Sequence, residues 1–110
     1  MTHPGSDMDI DQRRAARHRS DFVAMAESKQ HGDTKIRIVN VSAQGFMIDN
    51  NEHFERGDRI ELRLPTVGRI EAYLIWERDQ RAGFQFERVI RLPDFLALLD
   101  EVSPRLGRPK

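Results

Sequence analysis

The chain of 110 residues contains no cysteine, which excludes disulfides, thiolate metal sites and a cysteine nucleophile. It has one tryptophan and one tyrosine, too few for the surface platforms on which single-stranded nucleic acid stacks. It also lacks net charge, since 18 Lys and Arg residues balance 18 Asp and Glu. A domain that coats nucleic acid or an anionic membrane carries a basic balance, so nucleic acid is an unfavoured partner. Apolar runs reach only a few residues, far short of a membrane span. The opening MTHPGSDMDID has no apolar region of the kind a signal peptide needs. The expectation is a cytoplasmic protein with no membrane insertion. Catalytic constellations are missing as well. There is no Walker-type loop and no Ser–His–acid arrangement, and His3, His18, His31 and His53 lack metal-ligand spacing. Neither an enzyme nor a metal site is expected.

What the chain does have is alternation. In DRIELRLP, Ile60, Leu62 and Leu64 share one face and Arg59, Glu61 and Arg63 the other. GRIEAYLIW repeats the pattern with Ile70, Ala72, Leu74 and Trp76, and AGFQF with Ala82, Phe84 and Phe86. With DFVAMAES, DTKIRIVNVS and GFMID this makes about six short strands divided by turn signals such as PTVG and ERDQ. The class is all-β with a C-terminal helix, and the architecture a six-stranded antiparallel β-barrel. The helix is expected over 93–102, opened by Pro93 and Asp94. Its inward stripe is expected to be Leu92, Phe95, Leu96 and Leu99, with Leu98 and Val102 off that stripe. The segments are then a disordered tail at 1–12, a basic arm at 13–20, a barrel at 21–88, the helix, and a flexible tail at 103–110.

One strand breaks its own rule. Ile36 and Ile38 share a parity with Asn40 and Ser42, so a straight strand would bury an amide and a hydroxyl. Each would cost about 1–3 kcal/mol if unpaired. A bulge near Val39–Asn40 turns both polar groups outward instead, and Gly45 supplies a permissive backbone for the turn that follows.

The charge is concentrated just before these strands, where Arg13, Arg14, Arg17 and Arg19 stand in RRAARHR. Arginine binds phosphate through a planar fork and fits the O6/N7 edge of guanine equally well. Arg13 and Arg17 align on a helical turn, or lie about 13 Å apart on an extended arm. Either spacing suits the two ends of a dinucleotide. Asn40 and Ser42, two apart on one strand, offer donors and acceptors to a base edge.

The two patterns together, R-x-x-x-R at Arg13–Arg17 and N-x-S-x-x-G at Asn40, Ser42 and Gly45, resemble the PilZ domain, a bacterial receptor module for cyclic di-GMP. The resemblance runs over about residues 13–100 and includes Trp76 and Gly83 in IWERDQRAGFQF. It implies a split barrel with a C-terminal helix and an arginine arm that wraps over the ligand. By position, Arg13 and Arg17 would contact phosphates and guanine, with Arg14 as an auxiliary. Asn40, Ser42 and Gly45 would hold a guanine from the barrel surface, and Trp76 would flank the site. Arg19 leaves a second register open, in which it pairs with Arg14. The implied function is a receptor without turnover, whose arm rearranges around cyclic di-GMP and is read by a protein effector. Two alternatives stand beside it: an adaptor of the same fold that has lost nucleotide binding, and a small barrel for RNA or single-stranded DNA.

Overall fold

Strand by strand, the alternation sets every second side chain against a shared interior. The computed structural model describes residues 16–103. The tail expected at 1–12, together with Arg13 and Arg14, and the C-terminal stretch 104–110 lie outside the described residues. Six strands, β1 (His18–Ser28), β2 (Gly32–Val41), β3 (Gly45–Ile48), β4 (Arg59–Leu64), β5 (Gly68–Arg78) and β6 (Arg81–Phe86), precede one helix, α1 (Leu92–Val102). They form a closed antiparallel barrel in the order β1-β2-β3-β6-β5-β4. Closure rests on a short seam, with Ala26 opposite Leu62 and Glu27 opposite Glu61. The barrel starts earlier than the sequence indicates. His18 and Arg19 pair with Val41 and Asn40, so β1 takes in three residues assigned to the basic arm.

A six-stranded barrel is narrow, and its interior fills only if small and large side chains alternate. Ala24, Ala26, Ala72 and Ala82 are buried beside Leu62, Phe46 and Phe84, and Phe46 stacks on Phe84 with centroids 4.9 Å apart. The β5–β6 hairpin closes through Asp79 and Gln80, both with positive φ, 53° and 66°. That is the sign a two-residue turn between right-twisted strands requires, here met without glycine.

Helix α1 packs against β1, where the rings of His18 and Phe95 stand 5.6 Å apart. Its buried residues are Phe95, Leu98 and Val102, while Leu96 is 41% exposed. The expected stripe is therefore rotated. Positions 95, 98 and 102 follow i, i+3, i+7 and fit one face as well as the set centred on Leu96, and only contact with the barrel chooses between them.

Three irregularities shape the outer surface. Between β2 and β3 the register slips from Ile38 opposite Ile48 to Asn40 opposite Met47, leaving Val39 as the extra residue, as the polarity of this strand demands. Ile36, Ile38 and Val41 are all buried, so the parity of β2 changes across the bulge. A second shift falls in β1 between Arg19 and Phe22, beside it. A third falls in β5 between Leu74 and Trp76. This last one overturns the reading of Trp76 as a continuation of the Ile70–Ala72–Leu74 face: one extra residue, Ile75, carries the indole outside.

Candidate ligand-binding site

The bulges line up a row on the outer face of the barrel. Arg19 is opposite Asn40, Asn40 opposite Met47, Met47 opposite Gly83, and Gly83 opposite Trp76. Asn40 sits in the middle of the polar end. Its Oδ1 accepts from Arg17 Nη1 at 2.9 Å, and its Nδ2 approaches Met47 Sδ at 3.7 Å. Arg17 and Asn40 are 23 positions apart, so this bond joins the basic segment to the second motif directly. By contrast, Arg37 is committed elsewhere. It binds Asp21 at 3.0 Å and Asp49 at 3.1 Å, and these partners, Asp21 first, hold its pKa above the usual arginine value.

Ser42 departs from expectation. It faces the outer side yet is only 5% exposed, because the turn folds over it: Ser42 N–H donates to Gly45 O at 2.8 Å, and Ser42 Oγ accepts from Gln44 N–H at 3.1 Å. This is a local hydroxyl-to-backbone turn, and the hydroxyl keeps its own proton to donate. Gly45 is needed for a different reason than turn flexibility. Its φ is not among the positive ones, and a Cβ on it would stand 2.1 Å from the Phe84 carbonyl oxygen. The missing side chain lets β3 lie close against β6 and leaves a hollow on the outside.

That hollow is a cavity of about 420 Å³ lined by Arg17, Ser42, Gln44 and Gly45 on one side and by Ile75, Gln85, Arg88 and Val89 on the other. A second concavity, of about 530 Å³, lies along the same face and is bounded by Met47, Trp76, Arg78, Asp79 and Arg81. Gly45 and Met47 are alternate residues of β3 and Gln85 and Gly83 of β6, so the two hollows adjoin. Together they present arginines, neutral amides, the carboxylates of Glu87 and Asp79 and one aromatic ring along one face of the barrel.

Of the residues singled out from the sequence, Arg17, Ser42 and Gly45 line one cavity, Asn40 is bonded to Arg17, and Arg19 is exposed opposite Asn40. Trp76 lies at the far end of the row, in the second concavity. Arg13 and Arg14 are outside the described residues. Gln85 and Arg88 are additions that no motif marks. Gln85 stands between two inward phenylalanines and so had to point out, but only the three-dimensional structure brings Arg88 to Ser42. Among the described residues no group of three acids or histidines is placed to hold a metal, and no helix is long and apolar enough to cross a membrane.

The chain matches the family model of the PilZ domain over residues 11–102. With the closed six-stranded barrel and its C-terminal helix, this places the protein in the PilZ domain family. No curated protein matches it.

Proposed function

We propose that the protein is a receptor for cyclic di-GMP, bound on the outer face of the barrel and signalled onward to a protein partner. The observation that carries this reading is the meeting of Arg17, Asn40, Ser42 and Gly45, from two separate stretches of sequence, at one cavity rim. In the ligand-free state Asn40 Oδ1 holds Arg17. On binding, the guanidinium turns from the neutral amide to a phosphate, where both partners are charged and the planar fork makes two parallel bonds in place of one. The Asn40 amide is thereby released to a guanine edge, with the Ser42 hydroxyl beside it as a donor. The ordering entropy of the arm is offset by those bonds, and the ligand shifts the arm because it binds the closed form better than the open one. The rearranged arm is the surface the partner reads.

Calorimetric titration of cyclic di-GMP into the wild type, Arg17→Ala and Ser42→Ala, with GTP and a short RNA as controls, tests the proposal. Saturable wild-type binding that is lost in Arg17→Ala and weakened in Ser42→Ala is the expected result. No heat change and no change in melting temperature with cyclic di-GMP would leave an adaptor without nucleotide binding. Length-dependent RNA binding that falls steeply with salt would instead point to the nucleic-acid reading.

A further inference from the structure

The segment after β6 is fastened to the second motif at both of its ends. Phe86 N–H donates to Gln44 O at 2.8 Å and Ile90 N–H to Ala43 O at 2.9 Å. Between these two staples, Glu87, Arg88 and Val89 form an arch. Its first residue is fixed again, because Glu87 N–H donates to Glu71 O at 2.8 Å and Glu87 Oε2 accepts from Glu71 N–H at 2.8 Å. Ile90 is fully buried at the other foot.

The arch carries Arg88 to the cavity that Arg17 and Ser42 line. Arg88 is exposed, and among the described residues no carboxylate pairs with it, unlike Arg37, Arg59 and Arg69. The acid in the cavity lining, Glu87, has its carboxylate turned onto the Glu71 backbone. Gln85, exposed on β6 opposite Gly45, adds an amide to the same wall. Exposed Ile75 and Val89 supply apolar surface at the rim.

Resting on the cyclic di-GMP reading above, we propose that Arg88 is a further ligand contact, which binds the phosphodiester that Arg17 does not. A cyclic dinucleotide presents two phosphodiesters on one ring, and this cavity presents one arginine from the start of the barrel and one from its end. The two arginines differ in kind. Arg17 precedes the first strand and comes to the ligand, whereas the backbone at Arg88 is already held by its arch, so that only its side chain is ordered on binding. A ligand with one phosphate can satisfy only one of them, so Arg88 favours the dinucleotide over a mononucleotide.

The test is calorimetric titration of cyclic di-GMP and of GMP into the wild type, Arg88→Gln, Arg88→Lys, Arg17→Ala and, as a control at an exposed arginine of β4, Arg63→Gln. Arg88→Gln is expected to weaken cyclic di-GMP by about tenfold to a hundredfold, the scale of one hydrogen bond to a charged group. Its salt dependence should be shallower than that of the wild type, because one screened charge contact is gone. Arg88→Lys should recover part of the affinity, and Arg63→Gln should match the wild type. The ligand-free melting temperature of Arg88→Gln should be unchanged, since backbone bonds hold the arch. Wild-type affinity in Arg88→Gln, with binding still abolished by Arg17→Ala, would overturn the role of Arg88 and leave the receptor reading standing. Absence of wild-type binding would overturn both.

Discussion

The indole of Trp76 occupies the space that a side chain on Gly83 would fill: a Cβ there would stand 2.0 Å from Trp76 Nε1. The ring thus depends on its cross-strand partner having no side chain, and its position on the outer face depends on the Ile75 bulge. Replacing Gly83 by Ala should push the indole off the strand and expose it. Because the chain has one tryptophan, a red shift in the emission spectrum reports this directly, and an unshifted spectrum would mean that the ring had room to spare.

Gly45 presents the harder case, since its obstacle is a backbone oxygen at 2.1 Å. A carbonyl in a strand pair cannot swing aside as a ring can. Gly45→Ala should cost about 1–3 kcal/mol, in the range of forced overpacking, measured by urea denaturation. A loss under half a kcal/mol would show that β3 and β6 separate easily.

Asn40→Ala removes the acceptor of Arg17. The bond is exposed, so global stability should change by less than about 1 kcal/mol. Amide exchange around residues 17–19 should nonetheless quicken, and cyclic di-GMP affinity should fall. Unchanged exchange at these amides would show that β1 pairing alone holds the segment.

Deleting Val39 should leave the barrel folded. Without the extra residue Asn40 follows Ile38 directly, so the alternation runs on unbroken, with Asn40 outward and Val41 inward as they now stand. What is lost is the local twist of the bulge, and with it the aim of Asn40 at Arg17. Thermal melts should find a cooperative transition in the deletion, and cyclic di-GMP affinity should fall. An unfolded deletion would show that the bulge is needed to close the barrel rather than to aim Asn40.

Gln80 sits at φ 66° in the β5–β6 turn, a region costing a side-chain-bearing residue about 1–2 kcal/mol. Gln80→Gly should raise stability by about 0.5–1 kcal/mol after its own entropy loss, seen as a higher urea midpoint at constant slope.

The barrel and the Val39 bulge were legible because both follow from parity: strands that alternate must face a core, and a strand whose polar residues break the alternation must slip. The Ile75 bulge was not, because Trp76 is apolar and fits either face, so sequence parity carried it inward. The helix stripe was half right for the same reason: Phe95 is buried and Leu99 packs on the core, but Leu98 and Val102 rather than Leu96 face inward, since leucines are interchangeable until the barrel selects among them. Residue type and order singled out Arg17, Asn40, Ser42 and Gly45, which the fold brings together. The use of Gly45 was misread, because a steric contact with Phe84 depends on how two strands meet, not on either one. The place of Arg88 in the cavity lining was not legible, since it is set by backbone bonds from Phe86 and Ile90 to a turn some forty residues earlier.

The barrel interior is full, from Ala26 through Phe46 and Phe84 to Leu62, and its sheet is closed. Any molecule held at Gly45 therefore rests on the outside of a solid object and has no door to pass. Its departure needs no breathing of the barrel, only the parting of surface contacts such as those at Arg17 and Ser42. Residence time is then a count of gripping groups, and occupancy follows concentration without a slow conformational memory.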